Sequence, residues 1–219
     1  MSATNRGSIR READFYKTPE NSICRLFDVL YNPKGSEMCD PCAGDGRIIR
    51  TFKECYPWFK TSAVEIRPEE RENLKDAGTD YIYCGVDFLK TSEIYPIPSV
   101  FVTNPPYSIA QKIIERCFAI APNAEVIMLL RQGFLSSKER KPFWDEHPVT
   151  QCYPLSERPS FGTSAKCKKC DWRKFYHLGE YYPRKCPKCG GKLQISKTDA
   201  CDYAWFVWSK YREPLIKVI

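Results

Sequence analysis

The residues of this chain best suited to chemistry are Thr103, Asn104, Pro105, Pro106 and Tyr107. Successive prolines hold φ near about −65° and remove two backbone donors, leaving a stiff turn whose carbonyl oxygens are free acceptors. An Asn side-chain carbonyl beside a proline backbone carbonyl can accept both hydrogens of a planar amino group. That draws the nitrogen toward tetrahedral geometry and turns its lone pair toward a group to be transferred, with no strong base needed. A plain proline turn after a strand accounts for the same residues, and the motif alone does not separate the two readings.

The elements around the turn bear on that choice. Val100-Phe101-Val102 reads as a buried strand, so the turn lies just past a carboxyl end, where open α/β sheets place their chemistry. Upstream, Glu37-Met38-Cys39 runs into Asp40-Pro41-Cys42-Ala43-Gly44-Asp45-Gly46 and then a helix carrying Ile48, Ile49 and Phe52. Strand, acid, tight Gly-x-Gly turn and helix are the parts of a nucleotide-type cofactor loop. A third glycine and a Lys-Ser/Thr pair are both missing, which excludes the dinucleotide fingerprint and the Walker loop. Asp40 would repel a pyrophosphate and suits a cofactor bearing a cation. A second strand, 62–66, carries Glu65 at its end, where a ribose diol needs an acceptor. A third, 81–86, leads into Asp87-Phe88, an acceptor and a ring suited to an adenine. Each acid alone is an ordinary loop residue; three strands ending this way ahead of the proline turn share one register. At the start, Thr18 reads as a helix cap with Pro19 as first helical residue, and Phe15-Tyr16 before them either precede that cap or line a pocket.

A length of 219 residues and 42% hydrophobic content suit one domain with a sizeable core and a small appendage. No apolar signal core follows Met1, and the longest aliphatic run, Val126 to Leu130, is too short to span a bilayer. An intracellular protein with no membrane partner is expected. Eight of twelve cysteines are scattered singly, while Cys167, Cys170, Cys186 and Cys189 form C-x2-C-x15-C-x2-C. That spacing falls in the zinc-ribbon range and predicts a structural Zn2+ site. Between Lys166 and Lys197 stand ten Lys or Arg against Asp171 and Glu180, a balance of +8 that leaves −1 for the rest of a chain of net +7. The basicity belongs to this insert, and four thiolates with one divalent ion leave it about +6, enough for several phosphate contacts. Strand and helix patterns alternate through Ile109–Phe118, Glu125–Leu130 and Lys138–Glu146, with Trp144 expected to face inward. Gln151–Leu155 and Ala204–Trp208 then supply two more strands. The expected class is α/β, a doubly wound sheet with an antiparallel terminal hairpin at one edge.

In order, residues 40–46, Glu65, Asp87-Phe88 and Asn104-Pro105-Pro106-Tyr107 resemble the S-adenosylmethionine-dependent amino-methyltransferases, most of all the small phage-type DNA N6-adenine methyltransferases. Phe15-Tyr16-Lys17-Thr18-Pro19 and the tail 198–208 resemble that family too; residues 164–197 do not. The resemblance implies a Rossmann-like methyltransferase core over 1–163 and 198–219, interrupted by the zinc ribbon. Its sheet would have seven mainly parallel strands, the last inserted antiparallel. Asp40, Cys42, Gly44 and Gly46 would hold the methionine part of S-adenosylmethionine, Glu65 and Ile66 the ribose side, and Asp87 with Phe88 the adenine. Tyr16 and Thr18 would close over the cofactor. The implied activity is methyl transfer to the exocyclic amine of adenine in duplex DNA, with Asn104, Pro105, Pro106 and Tyr107 catalytic and the base flipped onto Tyr107. Phe161 either covers the other face of that base or packs within the hairpin. A bacterial cytoplasm is the implied setting, and the residues are silent on oligomeric state. Cytosine C5 chemistry is excluded, because Pro41-Cys42 and Cys186-Pro187 belong to the glycine loop and the metal site. Methylation of RNA adenine or a protein glutamine uses the same turn, and a non-catalytic zinc-dependent nucleic-acid-binding protein is the alternative of another class.

Overall fold

The computed structural model describes residues 17–30, 33, 35–177, 180–197 and 201–219. In chain order these form α1 (Glu20–Val29), β1 (Glu37–Asp40), α2 (Arg47–Cys55), β2 (Lys60–Glu65), α3 (Arg71–Asp76), β3 (Tyr81–Cys84), β4 (Val100–Thr103), α4 (Ala110–Ile120) and β5 (Glu125–Arg131). There follow α5 (Lys141–Glu146), β6 (Gln151–Pro154), β7 (Gly162–Cys167), β8 (Arg173–His177), β9 (Leu193–Ser196), β10 (Tyr203–Trp208) and β11 (Leu215–Ile216). Among the described residues no helix is long and apolar enough to cross a membrane.

Eight strands form one sheet in the order β3-β2-β1-β4-β5-β10-β6-β11. All neighbours are parallel except β10, which runs antiparallel to both β5 and β6. The expected antiparallel pair is present toward one edge: β10 is inserted between β5 and β6 and runs antiparallel to both. Its six residues are all apolar or aromatic and all buried, which an edge strand with one wet face would not tolerate. An eighth strand, two residues long, extends the edge by pairing Leu215 with Gln151.

Strand alternation sorts the core into two layers. Met38, Ala63, Val102, Ile127 and Trp205 face α1 and α2 through Leu26, Ile49 and Phe52. Their chain neighbours Cys39, Val64, Phe101, Val126 and Phe206 face α4 and α5 through Ile113, Cys117 and Phe143. Burial on both faces is what a parallel sheet requires. Helix α5 starts at Lys141 instead of Lys138, because Pro142 is tolerated only in the first turn. There Phe143 is the buried side chain, while Trp144 is half-buried and stacks on Trp208 with ring centroids 6.1 Å apart.

The remaining strands form a separate three-stranded antiparallel sheet, β8-β7-β9. It leaves the core after Phe161 and buries a small cluster of Ala165, Cys167, Tyr176, Cys186 and Leu193.

Candidate active site

The chain runs β1, β2, β3 toward one edge and returns to place β4 on the other side of β1. Ligands of open α/β sheets bind at such a switch point, beyond the carboxyl ends of the strands. Asp40 ends β1 and Asn104 follows β4, so the reversal itself brings the glycine loop beside the proline turn. A cleft opens there, lined by Thr18, Asp40, Cys42, Gly44, Glu65 and Ile66 on one side. Asp87, Phe88, Asn104 and Pro106 complete it.

Asp40 is fully buried at the base of the cleft. Its Oδ1 accepts the Cys42 amide at 3.1 Å, whereas Oδ2 has no hydrogen-bond partner. The buried hydroxyl of Thr103, the residue before Asn104, has none either. Burial pushes the Asp40 carboxyl up to about 7; proximity to Thr103 and Cys42 opposes the rise, and the charges of Glu65 and Asp45 add to it. A buried carboxyl at the base of a cleft suits a cationic donor.

Glu65 is used more heavily than its place at a strand end suggests. Its Oε2 accepts the Gly44 amide at 2.7 Å and its Oε1 accepts both the Arg67 amide and the Arg67 guanidinium, at 3.0 and 2.8 Å. It therefore holds the glycine loop to β2, and a ribose diol would add to bonds already made. Asp87 caps the 3-10 turn that follows it, accepting the Leu89 amide at 3.0 Å, with its other oxygen 3.6 Å from Lys90. Phe88 is buried with an edge against Phe101 and is among the residues lining the cleft.

Gly46 does not line the cleft. It sits at φ 78° as the residue preceding α2, and a Cβ there would stand 2.6 Å from that of Ala77. Its role is to turn the chain and let α2 pack on the end of α3. Gly44, at φ 57°, is the glycine that faces the cleft.

Thr18 is not the helix cap. Pro19 occupies that position with no side-chain bond to the helix, and the Thr18 hydroxyl instead accepts Nδ2 of Asn104 at 3.1 Å. That bond fixes the amide so that Oδ1 faces the proline turn, where it accepts the Tyr107 hydroxyl at 2.9 Å. The Pro106 carbonyl is taken by the Ile109 amide, closing the turn into α4, while among the described residues no backbone amide donates to the Pro105 carbonyl. Tyr107 is half-buried outside the cleft, with its ring 5.6 Å from Tyr203 and the Arg131 guanidinium 5.1 Å from its centroid. Phe161 is 3% exposed and packs edge-on against Tyr203 at 5.1 Å, so its ring is a packing residue of the hairpin base and offers no open face. Tyr16 lies outside the described residues.

Four charged residues stand near the site beyond those expected from the sequence. Lys17 and Arg47 both reach Asp45, at 3.5 and 3.0 Å, forming a cationic pair at the cleft mouth. Arg67 bridges Glu65 and Glu70. Arg131, at the end of β5, donates to the Tyr203 hydroxyl at 3.2 Å beside the proline turn. Only Arg47, opening a helix just after a glycine loop, has a local signal.

The four cysteines come together as expected of their spacing. Their sulfurs all lie within 4.8 Å of one another, with Cys167–Cys189 at 3.5 Å and Cys170–Cys186 at 3.7 Å. Tetrahedral zinc thiolate geometry needs sulfurs about 3.8 Å apart, so the set fits that ion. The Lys169 amide donates to Cys167 Sγ at 3.3 Å and is the chief cause holding that thiol down to about 6. Gly191 keeps the approach open, since a Cβ there would lie 3.3 and 3.4 Å from the sulfurs of Cys189 and Cys167.

No family model and no curated protein matches this sequence. Solved structures do. A predicted O-methyltransferase from Agrobacterium tumefaciens superposes with a TM-score of 0.53 at 11% identity, covering 90% of this chain and 85% of its own. A putative RNA methyltransferase from Pyrococcus horikoshii gives 0.52 at 16% identity over 94% and 88%. Precorrin-6y C5,15-methyltransferase from Geobacter metallireducens gives 0.52 at 14% identity over 91% and 94%. Identities this low speak for architecture alone, and the architecture they share with this chain is the Rossmann-like methyltransferase fold.

Proposed function

We propose that this protein transfers a methyl group from S-adenosylmethionine to the N6 amine of adenine in duplex DNA. The observation that carries the reading is the position of Asn104: its amide, anchored on the Thr18 hydroxyl with Oδ1 turned to the proline turn, lines the same cleft as the buried Asp40 carboxyl.

Bound in the cleft, S-adenosylmethionine would supply an electrophilic methyl group. Asp40 Oδ2 suits its ammonium, Lys17 and Arg47 its carboxylate, Glu65 its ribose, and Asp87 its adenine amine. The acids outnumber phosphate-friendly groups on the cleft floor, which disfavours a nucleotide carrying phosphates. Asn104 Oδ1 and Pro105 O then accept the two amine hydrogens of the target base, with Tyr107 turning its hydroxyl away and its ring toward the base. The amine proton leaves to solvent after transfer, since a methylated adenine amine has no affinity for it at neutral pH.

The three superposing structures are named for an RNA, a precorrin and an O-methyl acceptor, so they share the transfer and not the substrate. DNA is chosen on the order of the motifs along the chain, and the exposed basic ribbon supports a nucleic acid over a protein glutamine. The deciding experiment offers labelled S-adenosylmethionine with duplex DNA, single-stranded DNA, RNA and protein in parallel, followed by nuclease digestion. Label in N6-methyldeoxyadenosine is the expected product. Label only in N6-methyladenosine, or only in protein, would replace the acceptor while leaving the transfer intact.

Two expectations concern the cofactor cleft. Asp40 is neutral in the free protein below about pH 7, and a ligand that pairs an ammonium with it must first ionise it. Affinity for S-adenosylmethionine should therefore fall about tenfold per pH unit below that value. The same group acts on stability with the opposite sign: its raised value favours the folded state fully below about pH 4, and that contribution fades as pH climbs toward 7. Calorimetric titrations from pH 5.5 to 8 on wild type and Asp40→Asn check this, the variant being weaker and flat across the window. Asp87→Ala should weaken cofactor binding by roughly 1–3 kcal/mol through loss of a half-buried acceptor. Single-turnover rates at saturating cofactor should hardly change, and Asp87→Asn, which keeps the cap on Leu89, separates ligand contact from loop loosening.

A further inference from the structure

We infer that the turn between β5 and α5, residues 132–138, is where the nucleic acid backbone meets the methyltransferase core. A phosphate is held by Ser136, Ser137 and Lys138, the strand is pressed close on Gly133, and Leu135 lies against the sugars. This deepens, and depends on, the reading of the acceptor as a nucleic acid.

Connectivity puts the turn beside the reacting centre. β4 and β5 are parallel neighbours, with Thr103 opposite Met128, so the loops leaving their carboxyl ends start side by side. The last residue of β5, Arg131, holds its guanidinium 5.1 Å from the centroid of the Tyr107 ring. Gln132 follows, and its amide and side chain donate to the carbonyls of Asp202 and Tyr203, at 2.9 and 3.4 Å. Tyr203 in turn lies 5.6 Å from Tyr107. A base entering the proline turn thus brings its flanking backbone within reach of this segment.

The turn contains a glycine that the protein itself does not need. Gly133 is exposed, its φ is not positive, and no described atom lies within 4 Å of where a Cβ would stand. Glycine costs conformational entropy on folding, so one that serves neither a left-handed turn nor internal packing marks a close approach from outside. Its neighbours supply what a phosphodiester chain uses. Ser136 and Lys138 are exposed, Ser137 is half-buried, and among the described residues none of the three side chains has a hydrogen-bond or ion-pair partner. Hydroxyls and lysines of this kind are common phosphate donors. Leu135 stands beside them at 45% exposure, and Glu139 is the one acid between 132 and 140.

The support beneath is ordered beforehand. Arg140 donates to the carbonyls of Phe134 and Gly133 at 3.0 and 3.3 Å, and its guanidinium lies 4.6 Å from the centroid of the Phe134 ring. Phe134 is buried, with edge contacts to Phe143 and Trp144. A turn fixed in this way loses little entropy when a ligand binds.

The test measures binding of oligonucleotides of one sequence, as duplex DNA, single-stranded DNA and RNA, by fluorescence anisotropy across salt concentrations. Proteins are wild type, Gly133→Ala, Gly133→Val, Lys138→Ser, Leu135→Ser and, at the amino end of the sheet, Lys75→Ser. S-adenosylmethionine binding and thermal midpoints report that each is folded, and Gly133→Ala should not lower the midpoint, since the position accepts a Cβ. Gly133→Val should weaken the preferred ligand about tenfold or more, and Gly133→Ala by a smaller factor. Lys138→Ser should flatten the slope of log K against log salt by about 0.9 for a duplex or about 0.7 for a single strand. Leu135→Ser should weaken binding about threefold or more with the slope unchanged. A folded Gly133→Val with wild-type affinity, or a Lys138→Ser slope no flatter than that of Lys75→Ser, overturns the inference. Should Gly133→Val not fold, Gly133→Ala and Lys138→Ser decide in the same way. If wild type binds none of the three nucleic acids, the proposed acceptor fails and the turn with it, an outcome distinct from failure of the turn alone.

Discussion

Asn104→Ala should lower single-turnover methyl transfer by about 10²-fold or more, the order seen when one preorganised donor or acceptor is removed from a reacting centre. S-adenosylmethionine affinity should stay within a few-fold. The division follows from where the two ends of the amide go. Nδ2 donates to Thr18, a residue of the cleft wall, at 3.1 Å, and Oδ1 faces the proline turn. Removing the side chain frees Thr18 but leaves Asp40, Glu65, Asp87 and the cationic pair at the mouth in place. What disappears is the acceptor that draws the amine toward tetrahedral geometry. Asn104→Asp sharpens the comparison, since it keeps the shape and the oxygen yet cannot donate to Thr18 and places a charge beside the cleft. Calorimetry and single-turnover rates separate the two quantities. A variant that loses cofactor binding while its chemical step survives would remove Asn104 from catalysis.

The parts of this site legible in the sequence are those set by short-range pattern. An acid ending an apolar run is visible as such, and Asp40, Glu65 and Asp87 all line the cleft. The strand before Asn104 is visible for the same reason. Contacts between distant segments are not legible. Thr18 looks like a cap because Thr-Pro before a helical repeat is a capping pattern, yet its partner lies 86 residues away. Gly46 and Gly44 are alike in a Gly-x-Gly turn; only the packing of α2 on Ala77 assigns the first to the turn and the second to the cleft. The insertion of β10 between β5 and β6 follows from the family resemblance and not from pattern, because a strand apolar on both faces has no alternation to show which neighbours it takes. Phe161 is open between two roles in the sequence, and Tyr203, at 5.1 Å, decides for packing. Arg131 has no local signal at all, since its proximity to Tyr107 comes from β4 and β5 lying side by side.

Cys186→Ser should unfold the ribbon and spare the core. Outside its four cysteines the small sheet buries, among the described residues, only Ala165, Tyr176 and Leu193 as full members of its cluster, and a unit of this size seldom folds without a metal or disulfides. Cys186 is 3% exposed with its sulfur 3.7 Å from that of Cys170, so a serine both removes a ligand and leaves a buried hydroxyl. Binding energy at a structural zinc site is folding energy, and the variant should release its metal along with the order of β7, β8 and β9. The eight-stranded sheet rests on its own two apolar layers, so S-adenosylmethionine should still bind. Duplex affinity should drop, and its salt dependence should flatten by about 0.9 in slope for each phosphate no longer neutralised. Chelation of wild type should reproduce both changes and added zinc should reverse them, which serine substitution cannot allow. If instead the ribbon only clamps the base of the hairpin, its unfolding would loosen Phe161 and Tyr203 and slow methyl transfer with nucleic-acid affinity and slope untouched. Binding isotherms across salt, run beside circular dichroism and metal analysis, tell these two apart.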